Sequence, residues 1–440
     1  MAEIAPLLMF AVLFLLLASG FPVAFTLGGV SLLFGLSFLG LNFFNMLPLR
    51  IWGIMTNYVL IAVPLFVYMG VMLEKSGLAE ELLETMALLF GRLRGGLAIS
   101  VIIVGGMLAA ATGIVGATVV TMGLLSLPTM LKRGYNGELA SGVVASAGTL
   151  GQIIPPSIVL VLLASILNVP VGDMFLGALL PGIFLVVLYI LWVIAISIFK
   201  PNAAPAMPPE ELAQFTGMAA IKKVMHAFIP PFFLIASVLG SIFAGIASPT
   251  EAAAVGAFCA TLLALIRGKL SFQGLRGVMQ ETTYLTSMVF IILVGATALG
   301  LVFRGMGGDR YLTNLIMEAN MGPGVFLLIL MIVVFIAGFF IDFIEITFII
   351  VPIAVPILIG LNIDLLWVGI LIAINLQTSF LTPPFGFSLF YLKGVAPKEV
   401  STMTIYKGII PFIIIQLIGL SMVVFFPELA TWLPEYVLGK

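Results

Sequence analysis

The stretch Ser146 to Ser157, SAGTLGQIIPPS, decides the fold of this chain. It lies inside a long apolar segment, residues 138–166, that would otherwise be an ordinary membrane-spanning helix. Pro155 and Pro156 lack amide donors and push the residue before them out of the helical region. A helix broken inside a bilayer exposes unpaired backbone groups, which is tolerated only where protein or water surrounds them. Such breaks commonly hold ions or substrate.

A second stretch, Gln377 to Gly386 (QTSFLTPPFG), repeats the polar run and the double proline. Sliding the sequence by 228 residues superimposes three prolines of the first half on three of the second. The pairs are Pro128 with Pro356, Pro155 with Pro383, and Pro156 with Pro384. Single matches are expected by chance in so apolar a chain, but three prolines at one spacing predict that the two halves are an internal repeat of one structural unit.

The composition indicates a membrane protein. Of 440 residues, 62% are hydrophobic and 8% charged, and the mean hydropathy is +1.29, whereas about a quarter of a soluble domain is charged. The single Cys259 excludes a disulfide within the chain, and the lone His226 excludes a histidine-cluster metal site. No Walker A, HExxH, GxSxG or CxxC signature occurs, so neither ATP coupling nor an enzyme is expected.

Apolar segments predict five crossings in each half. They are residues 4–20, 22–40, 51–73, 138–166 and 172–199, then 226–247, 250–266, 284–303, 365–395 and 408–427. Residues 97–131 and 325–361 are too long for one ~30 Å crossing and short for two. Each is therefore predicted to be a re-entrant hairpin, with tips near Thr112 and Asp342; a tilted single span is the alternative for the first.

Three further segments connect these crossings. Residues 79–90 and 308–320 alternate charged and apolar positions, as in a helix lying in the membrane interface or in a plain amphipathic loop helix. Residues 200–216 contain four prolines and are predicted to be a linker. Five crossings in the first half make the second half inverted relative to the first.

The distribution of basic residues supports this inverted arrangement of the two halves. With the N-terminus outside, fourteen Lys and Arg residues fall on the cytoplasmic side. Only four lie outside, namely Arg50, Arg304, Arg310 and Lys440. The excess agrees with the positive-inside rule. If residues 97–131 crossed once and 138–166 formed the hairpin, the ratio would fall to twelve against six, so the order of hairpin followed by broken helix is favoured.

Oxygen-bearing side chains at the breaks suggest ion chemistry. Half-helix amide ends suit an anionic substrate, and carbonyl ends suit Na⁺. Thr112 and Thr149 add hydroxyl oxygens beside the first break, and Gln377 and Thr378 add theirs in the second half. This is a hard-oxygen set for a weakly bound alkali ion. The alternative is that such hydroxyls bond only to their own backbone.

Glu251, Asp342 and Glu345 lie in apolar surroundings, where ionisable residues are costly and usually functional. Asp342, at the predicted second tip, is the favoured functional carboxylate, and Glu345 either faces the same cavity or interacts with a helix end. With Thr149 and Thr382 they form the predicted substrate-binding set. Glu251 is expected to be structural, in the first turn of a helix. A membrane-embedded enzyme using the Asp342–Glu345 pair is the remaining alternative, but no nucleophile or histidine accompanies it.

Several motifs together resemble one known family over essentially the whole chain. They are GTLGQIIPPS (Gly148–Ser157), DMFLGALLPG (Asp173–Gly182), SPTEAAAVGA (Ser248–Ala257), Asp342 with Pro352 and Pro356, and TPPFG (Thr382–Gly386). The chain resembles the large membrane subunit of tripartite ATP-independent periplasmic (TRAP) transporters, the DctM-like family. The resemblance implies Na⁺-driven uptake of a small organic anion, a carboxylate or sulfonate, across the bacterial inner membrane.

The resemblance also implies partners, a mechanism and ligands. The partners are a small four-helix membrane subunit and a soluble periplasmic substrate-binding protein. No cofactor is expected, and Na⁺ is the coupling ion. The fold implied is an all-α inverted-repeat elevator, in which a mobile unit carries the hairpins and broken helices. The implied first Na⁺ site joins Thr112 to the carbonyls of Gly148, Gly151 and Ile153, and the second uses Gln377 and Thr378. A stand-alone Na⁺/anion symporter of similar fold is the alternative.

These expectations divide the chain into five parts. Residues 1–96 and 226–324 are the predicted scaffold helices and interfacial arms of the two repeats. Residues 97–199 are the predicted transport unit of the first repeat, and 325–440 are that of the second with the last span. Residues 200–225 link the repeats.

Overall fold

The computed structural model describes residues 4–212, 215, 217–318, 321–384 and 386–439, and this part of the chain is helical without strands. The first half contains α1 Ala5–Ala18, α2 Val23–Phe38, α3 Leu47–Met55, α4 Ala62–Lys75, α5 Leu78–Phe90, α6 Gly96–Thr112, α7 Val115–Lys132, α8 Gly137–Thr149, α9 Ile158–Leu167 and α10 Val171–Phe199. A short helix, α11 Pro209–Leu212, follows. The second half contains α12 Gly217–Phe243, α13 Pro249–Ile266, α14 Phe272–Gly305, α15 Gly308–Glu318, α16 Pro323–Ala337, α17 Phe343–Ile349, α18 Val351–Gly360, α19 Leu365–Leu381, α20 Phe387–Val395, α21 Thr402–Phe425 and α22 Glu428–Leu438.

The helices have the length and surface of membrane spans. Among the described residues, seven are long and apolar enough to cross a bilayer, and six more are apolar but 10–17 residues long. Large apolar side chains face outward, including Phe25, 77% exposed, and Phe258, 69% exposed. Such a surface is unsuited to water and suited to lipid. The protein is an all-α polytopic membrane protein, as predicted.

Helix boundaries repeat at the 228-residue spacing seen in the prolines. Val115 and Phe343 begin α7 and α17, Gly137 and Leu365 begin α8 and α19, and Phe38 and Ile266 end α2 and α13. The first hairpin segment contains α6 and α7, and its counterpart contains α16, α17 and α18. Each is followed by a helix that stops and restarts. The repeat is therefore a property of the folded chain as well as of its sequence.

The two halves pack in a reciprocal way. Helix α4 packs on α13, and α14 packs on α2, where α14 is the counterpart of α4 and α13 that of α2. The pairs α8 with α21 and α10 with α19 show the same exchange. Contacts in which each partner contributes the same surface are those of a two-fold axis. The halves are thus related by an approximate two-fold rotation.

Several predicted segments differ from the helices. Residues 51–73 are interrupted near Asn57, whose side chain accepts a hydrogen bond from the amide of Val59 and begins a new helical turn. The equivalent α14 is continuous and begins at Phe272, twelve residues before the predicted 284–303. Its extra turns are polar, so a search for apolar residues misses them, and Ser271 caps their start.

Three other differences lie further along the chain. Helix α12 begins at Gly217 rather than 226, since the charged segment before the apolar stretch is also helical. The second hairpin segment bends by 46° between α17 and α18. Pro352 causes this bend, because it lacks an amide donor and its ring opposes the carbonyl of Phe348. Helix α22 lies beyond the predicted last span, and Asn320, the end of a predicted arm, is outside the described residues.

Candidate functional site: paired helix breaks and hairpin tips

The first break separates α8 from α9. Helix α8 ends at Thr149, a 3₁₀ turn covers Leu150–Gln152, and α9 begins at Ile158. Because Pro155 and Pro156 cannot donate, the carbonyls of residues 151 and 152 lose their helical partners. The hydroxyl of Ser157 donates to the Gln152 carbonyl at 3.1 Å and replaces one of these bonds.

The second break repeats this arrangement between α19 and α20. Here Pro384 leaves the carbonyl of Phe380 without a helical amide, and the hydroxyl of Ser388 donates to it at 2.7 Å. Gln152 and Phe380 are equivalent at the 228-residue spacing. Two serines at non-equivalent positions therefore each donate to the carbonyl that a proline leaves without an amide partner. The Pro155–Pro156 and Pro383–Pro384 peptide bonds are both cis; Phe385 lies outside the described residues.

The tip of the first hairpin segment packs against the first break. Gly113 has a φ of +63°, which only glycine adopts readily, and it turns the chain between α6 and α7. The hydroxyls of Thr112 and Thr118 lie 2.8 Å apart across this turn. A Cβ on Gly151 would lie 2.9 Å from the Cβ of Ala109.

Three residues of the expected first ion site thus lie on adjoining surfaces. A Cβ on Gly148 would lie 3.0 Å from the Cα of Val119, so α8 touches α7 below the tip. The carbonyl oxygen of Ile153 is buried against Gly182, 3.5 Å from where a Cβ would stand. The structure therefore packs Gly148 against α7 and Gly151 against α6, the two helices that Thr112 and Gly113 join, and turns the Ile153 carbonyl toward α10.

The second tip packs against the second break in the same way. A Cβ on Gly338 would lie 2.8 Å from the Cβ of Ser379. Asp342 caps α17, accepting a hydrogen bond from the Phe343 amide at 2.7 Å. Glu345 lies one turn further and is 6% exposed, and its Oε2 has no hydrogen-bond partner among the described residues. Asp342 and Glu345 therefore both lie at the start of α17.

Hydroxyls at the breaks donate to their own helices. Thr149 donates to Ser146, Thr378 to Ile374, and Thr382 to Thr378, each to a carbonyl at 2.8–2.9 Å. This is the alternative that the sequence left open. A hydroxyl that donates one bond keeps lone pairs on its oxygen, so it remains available to a cation or a donor.

One hydrogen bond joins the two breaks directly. Gln377 Nε2 donates to Thr149 Oγ1 at 3.3 Å, and these residues are separated by 228 positions, the spacing of the repeat. Equivalent residues related by a two-fold rotation touch each other only near its axis. The axis of the molecule therefore passes between the two breaks. Sequence analysis predicted Gln377 as a Na⁺ ligand and Thr149 as a substrate contact, but it did not predict that the two side chains touch.

A buried tyrosine extends this contact into a network. The Tyr189 hydroxyl accepts from Gln416 Nε2 at 2.8 Å and from Gln377 Nε2 at 3.5 Å. The oxygens Gln377 Oε1 and Gln416 Oε1 have no partner among the described residues, although both side chains are fully buried. Sequence reasoning missed Tyr189 and Gln416. Their signal was a lone polar residue within an apolar span.

A crevice separates α3 and α14 from α9, α17 and α18. Two adjoining cavities of about 400 and 500 Å³ share Arg50, Thr297 and Phe348 in their linings. Arg304 and Asp309 line the 400 Å³ cavity. Arg50 and Arg304 are two of the four basic residues predicted to lie on the non-cytoplasmic side. They were not predicted as site residues, although that rarity was the available signal.

These features define a class: a polytopic membrane transport protein made of two related halves, each pairing a predicted hairpin segment with a proline-broken helix. The crystal structure of the Alcanivorax borkumensis YdaH transporter shares the fold, with a TM-score of 0.64 over 97% of this chain and 99% of that chain at 15% identity. Residues 10–429 match the family described as tripartite ATP-independent periplasmic transporter, DctM component. The chain belongs to this family and is a TRAP transporter large permease subunit, not an enzyme.

Relatives in the family are similar over nearly their whole length. The C4-dicarboxylate TRAP transporter large permease protein DctM of Vibrio cholerae is 30% identical and covers 98% of both chains. The sialic acid TRAP transporter large permease protein SiaM of the same organism is 28% identical, over 96% of this chain and 97% of its own.

Proposed function

We propose that this chain is the permease of a Na⁺-coupled system in a bacterial inner membrane that takes up a small organic anion, a carboxylate or a sulfonate. It works with a small four-helix membrane subunit and a periplasmic binding protein that delivers the substrate. The observation that carries the proposal is the meeting of two proline-broken helices on the two-fold axis, each with a hairpin tip against it. Family membership supports the partners, because the family is described as a component of a tripartite periplasmic transporter.

Sodium coupling is supported by the type of ligands at the breaks. Gly148 and Gly151 of the first break pack on the helices at either side of Thr112, and Gln377 and Thr378 lie at the second break. Neutral oxygens bind a hard monovalent cation without fixing it permanently. Partial negative charge at the end of α8 adds to this attraction.

An anionic substrate is supported by the relatives and by the crevice. C4-dicarboxylates and sialic acid, named for the two relatives, both carry carboxylates. Arg50 supplies positive charge to the crevice, whereas Arg304 is paired with Asp309 at 3.7 Å. Asp342 and Glu345 would repel an anion at short range, so they contact substrate only with a cation or a proton between them. Thr149 and Thr382 supply neutral contacts.

The proposed transport motion is that of an elevator with re-entrant hairpins. Residues 97–166 and 325–395 form the moving unit, and residues 4–73 and 226–303 form the scaffold. The bond between Thr149 and Gln377 supports a single moving body, since it joins the broken helix of one half to that of the other. Hairpins that open to opposite sides then expose one site to each side in turn.

Reconstitution tests this proposal. The purified chain is placed in liposomes with an inward Na⁺ gradient, and uptake of labelled succinate and sialic acid is measured with and without the small subunit and the loaded binding protein. We expect uptake only with all three proteins and with Na⁺. Full-rate uptake of free substrate by this chain alone would favour the stand-alone Na⁺/anion symporter instead. Chemically altered substrate inside the liposomes would point to an enzyme.

A further inference from the structure

One basic side chain of the crevice has no acidic partner of its own. Arg50 on α3 lines both cavities, and it forms no ion pair with any described residue. The other arginine of the crevice, Arg304, is paired with Asp309 at 3.7 Å. Of the described residues, these three are the charged ones in the two linings. The crevice therefore carries one unpaired positive charge.

The position of Arg50 on α3 directs it to the crevice rather than to lipid. The lining residues on and beside this helix are spaced by three, four and seven positions, which is the spacing of one helical face. They are Met46, Leu49, Arg50, Gly53, Ile54 and Asn57. Trp52 and Met55 belong to neither lining and are 62% and 67% exposed. The helix thus turns large apolar side chains outward and its one charge toward the crevice.

Neutral polar groups line the same crevice. Asn57 donates from Nδ2 to the Ser165 hydroxyl oxygen at 3.1 Å, and this bond leaves the O–H of Ser165 free to donate. Thr297 on α14 lines both cavities and adds a second hydroxyl. Leu293 and Phe348 also line both and present apolar surface. The crevice therefore combines one cation, hydroxyl donors and apolar walls.

This combination fits a small organic anion. A guanidinium offers a planar fork of donors that matches two oxygens of a carboxylate or a sulfonate. Hydroxyls add neutral donors, and apolar walls contact a carbon skeleton. Cavities of about 400 and 500 Å³ have the size of small-molecule sites, roughly 300–1,000 Å³. A cationic ligand would be repelled by Arg50, and a neutral one would leave its charge uncompensated.

The crevice lies at the boundary between the two proposed bodies. Helices α3 and α14 belong to the proposed scaffold, whereas α9, α17 and α18 belong to the proposed moving unit. Arg50 therefore stays in place while the opposite wall moves. The distribution of basic residues predicts that Arg50 lies on the non-cytoplasmic side, from which uptake begins.

We propose that Arg50, with Thr297 on the same side of the crevice and Ser165 on the other, forms a docking site for the carboxylate or sulfonate group of the arriving substrate. This inference rests on the proposed uptake function and adds a step to it. The predicted substrate-binding set lies at the breaks and at the start of α17, whereas Arg50 lies on the scaffold. The anion leaves Arg50 before the moving unit carries it, so Arg50 governs capture of the substrate and not the transport step.

Exchange of the charge at position 50 tests the site. Arg50→Cys in a Cys259→Ser background is reconstituted with the small subunit and the loaded binding protein in phosphatidylcholine liposomes, which carry no net charge. Uptake of labelled succinate and sialic acid is measured before and after modification with 2-aminoethyl methanethiosulfonate, which adds a positive charge, or 2-sulfonatoethyl methanethiosulfonate, which adds a negative one. We expect Arg50→Cys to lower uptake at low substrate concentration by about tenfold. The positive reagent should restore most of it, and the negative reagent should abolish the remainder.

Substrate protection and a matched variant separate docking from other roles of the charge. Without the binding protein, the anion that the parent Cys259→Ser chain takes up should slow modification of the Arg50→Cys variant. Arg310→Cys alters a basic residue that belongs to neither lining. Its uptake should respond to neither reagent.

The outcomes distinguish this inference from the proposed function. If uptake by Arg50→Cys equalled that of the parent chain and neither reagent changed it, the docking site would be overturned and the proposed function would stand. Reagents that change uptake without any protection by substrate would also overturn the site, and would assign Arg50 to contact with a partner protein or a lipid. A parent chain that takes up neither anion would overturn both.

Discussion

At both breaks the broken helix packs closely against the neighbouring hairpin segment. The glycine that permits this contact lies on the broken helix in the first half and on the hairpin segment in the second. In the first half, Gly151 on the broken helix faces Ala109 near the hairpin tip. In the second half, Gly338 near the tip faces Ser379 on the broken helix, and Ser379 is the equivalent of Gly151 at the 228-residue spacing. The repeat therefore preserves a distance between backbones, and either side of the contact can supply the glycine.

The two hairpin segments differ in shape and in charge. Helix α7 is continuous, whereas α17 and α18 bend at Pro352, whose equivalent in the first half is Leu124. Asp342 corresponds to Ile114 and has no charged counterpart in the first tip. The first hairpin instead meets the carboxylate of Glu74 from α4. The second hairpin segment contains its own carboxylates, whereas the first contacts a carboxylate on the neighbouring α4.

The largest effect is expected for Gly151→Ala. The added methyl group would overlap the backbone carbonyl of Ala109, and a backbone group cannot rotate away. Overpacking of this kind costs about 1–3 kcal/mol. We expect a lower thermal unfolding midpoint and uptake reduced to background in reconstituted liposomes. Ala109→Gly should fail to restore either, because the obstructing atoms belong to the backbone.

The second half offers the opposite outcome as a control. Gly338→Ala would overlap the side chain of Ser379 and should cause a similar loss. Adding Ser379→Gly removes that side chain and should restore folding and uptake. Ser379→Ala should not, because the Cβ atoms would remain 2.8 Å apart. Rescue by both replacements, or by neither, would contradict the described packing.

A smaller effect is expected for the threonines at the breaks. Thr112→Ala and Thr378→Ala each remove a hydroxyl oxygen, while each protein should still insert and fold. We expect the Na⁺ concentration for half-maximal uptake to rise by about tenfold, equivalent to ~1.4 kcal/mol of ion binding. Thr112→Ser and Thr378→Ser are the matched controls. Unchanged Na⁺ titrations in both alanine variants would leave backbone carbonyls as the only ligands.

The smallest effect is expected for Tyr189→Phe. It removes the hydroxyl that accepts from Gln416 and Gln377 on the two-fold axis. Hydrogen bonds inside membrane proteins contribute about 1 kcal/mol each, so the unfolding midpoint should fall slightly and Na⁺ affinity should fall with it. Tyr68→Phe, which removes a hydroxyl bonded to Thr261 on the scaffold side, should lower stability without altering Na⁺ affinity. Equal Na⁺ affinity in both variants would separate the axis network from ion binding.

Prolines and hydropathy made much of the fold predictable. Pro155, Pro156, Pro383 and Pro384 remove specific backbone bonds, so the two breaks follow from the sequence alone. The repeat spacing followed from the same residues.

Contacts between distant segments were not predictable in this way. The hydrogen bond between Thr149 and Gln377 depends on the position of the two-fold axis. The sequence of one segment alone does not determine that position. Glu74 was overlooked because it adjoins Lys75 and reads as part of a charged loop. The early start of α14 was missed because its first turns are polar.

Cross-linking across the proposed boundary tests the central claim of a rigid moving unit. In a Cys259→Ser background, Asn57→Cys with Ser165→Cys places a pair across it, where the native side chains lie 3.1 Å apart. Gly123→Cys with Val395→Cys places a matched pair inside the moving unit, where a Cβ on Gly123 lies 2.7 Å from Val395. We predict that the first pair forms a disulfide at rates that change with Na⁺ and substrate and stops uptake until it is reduced, whereas the second forms without stopping uptake. If the first pair formed equally under all conditions and never inhibited, the unit would not move as a body, and access would have to arise from local opening of the hairpins.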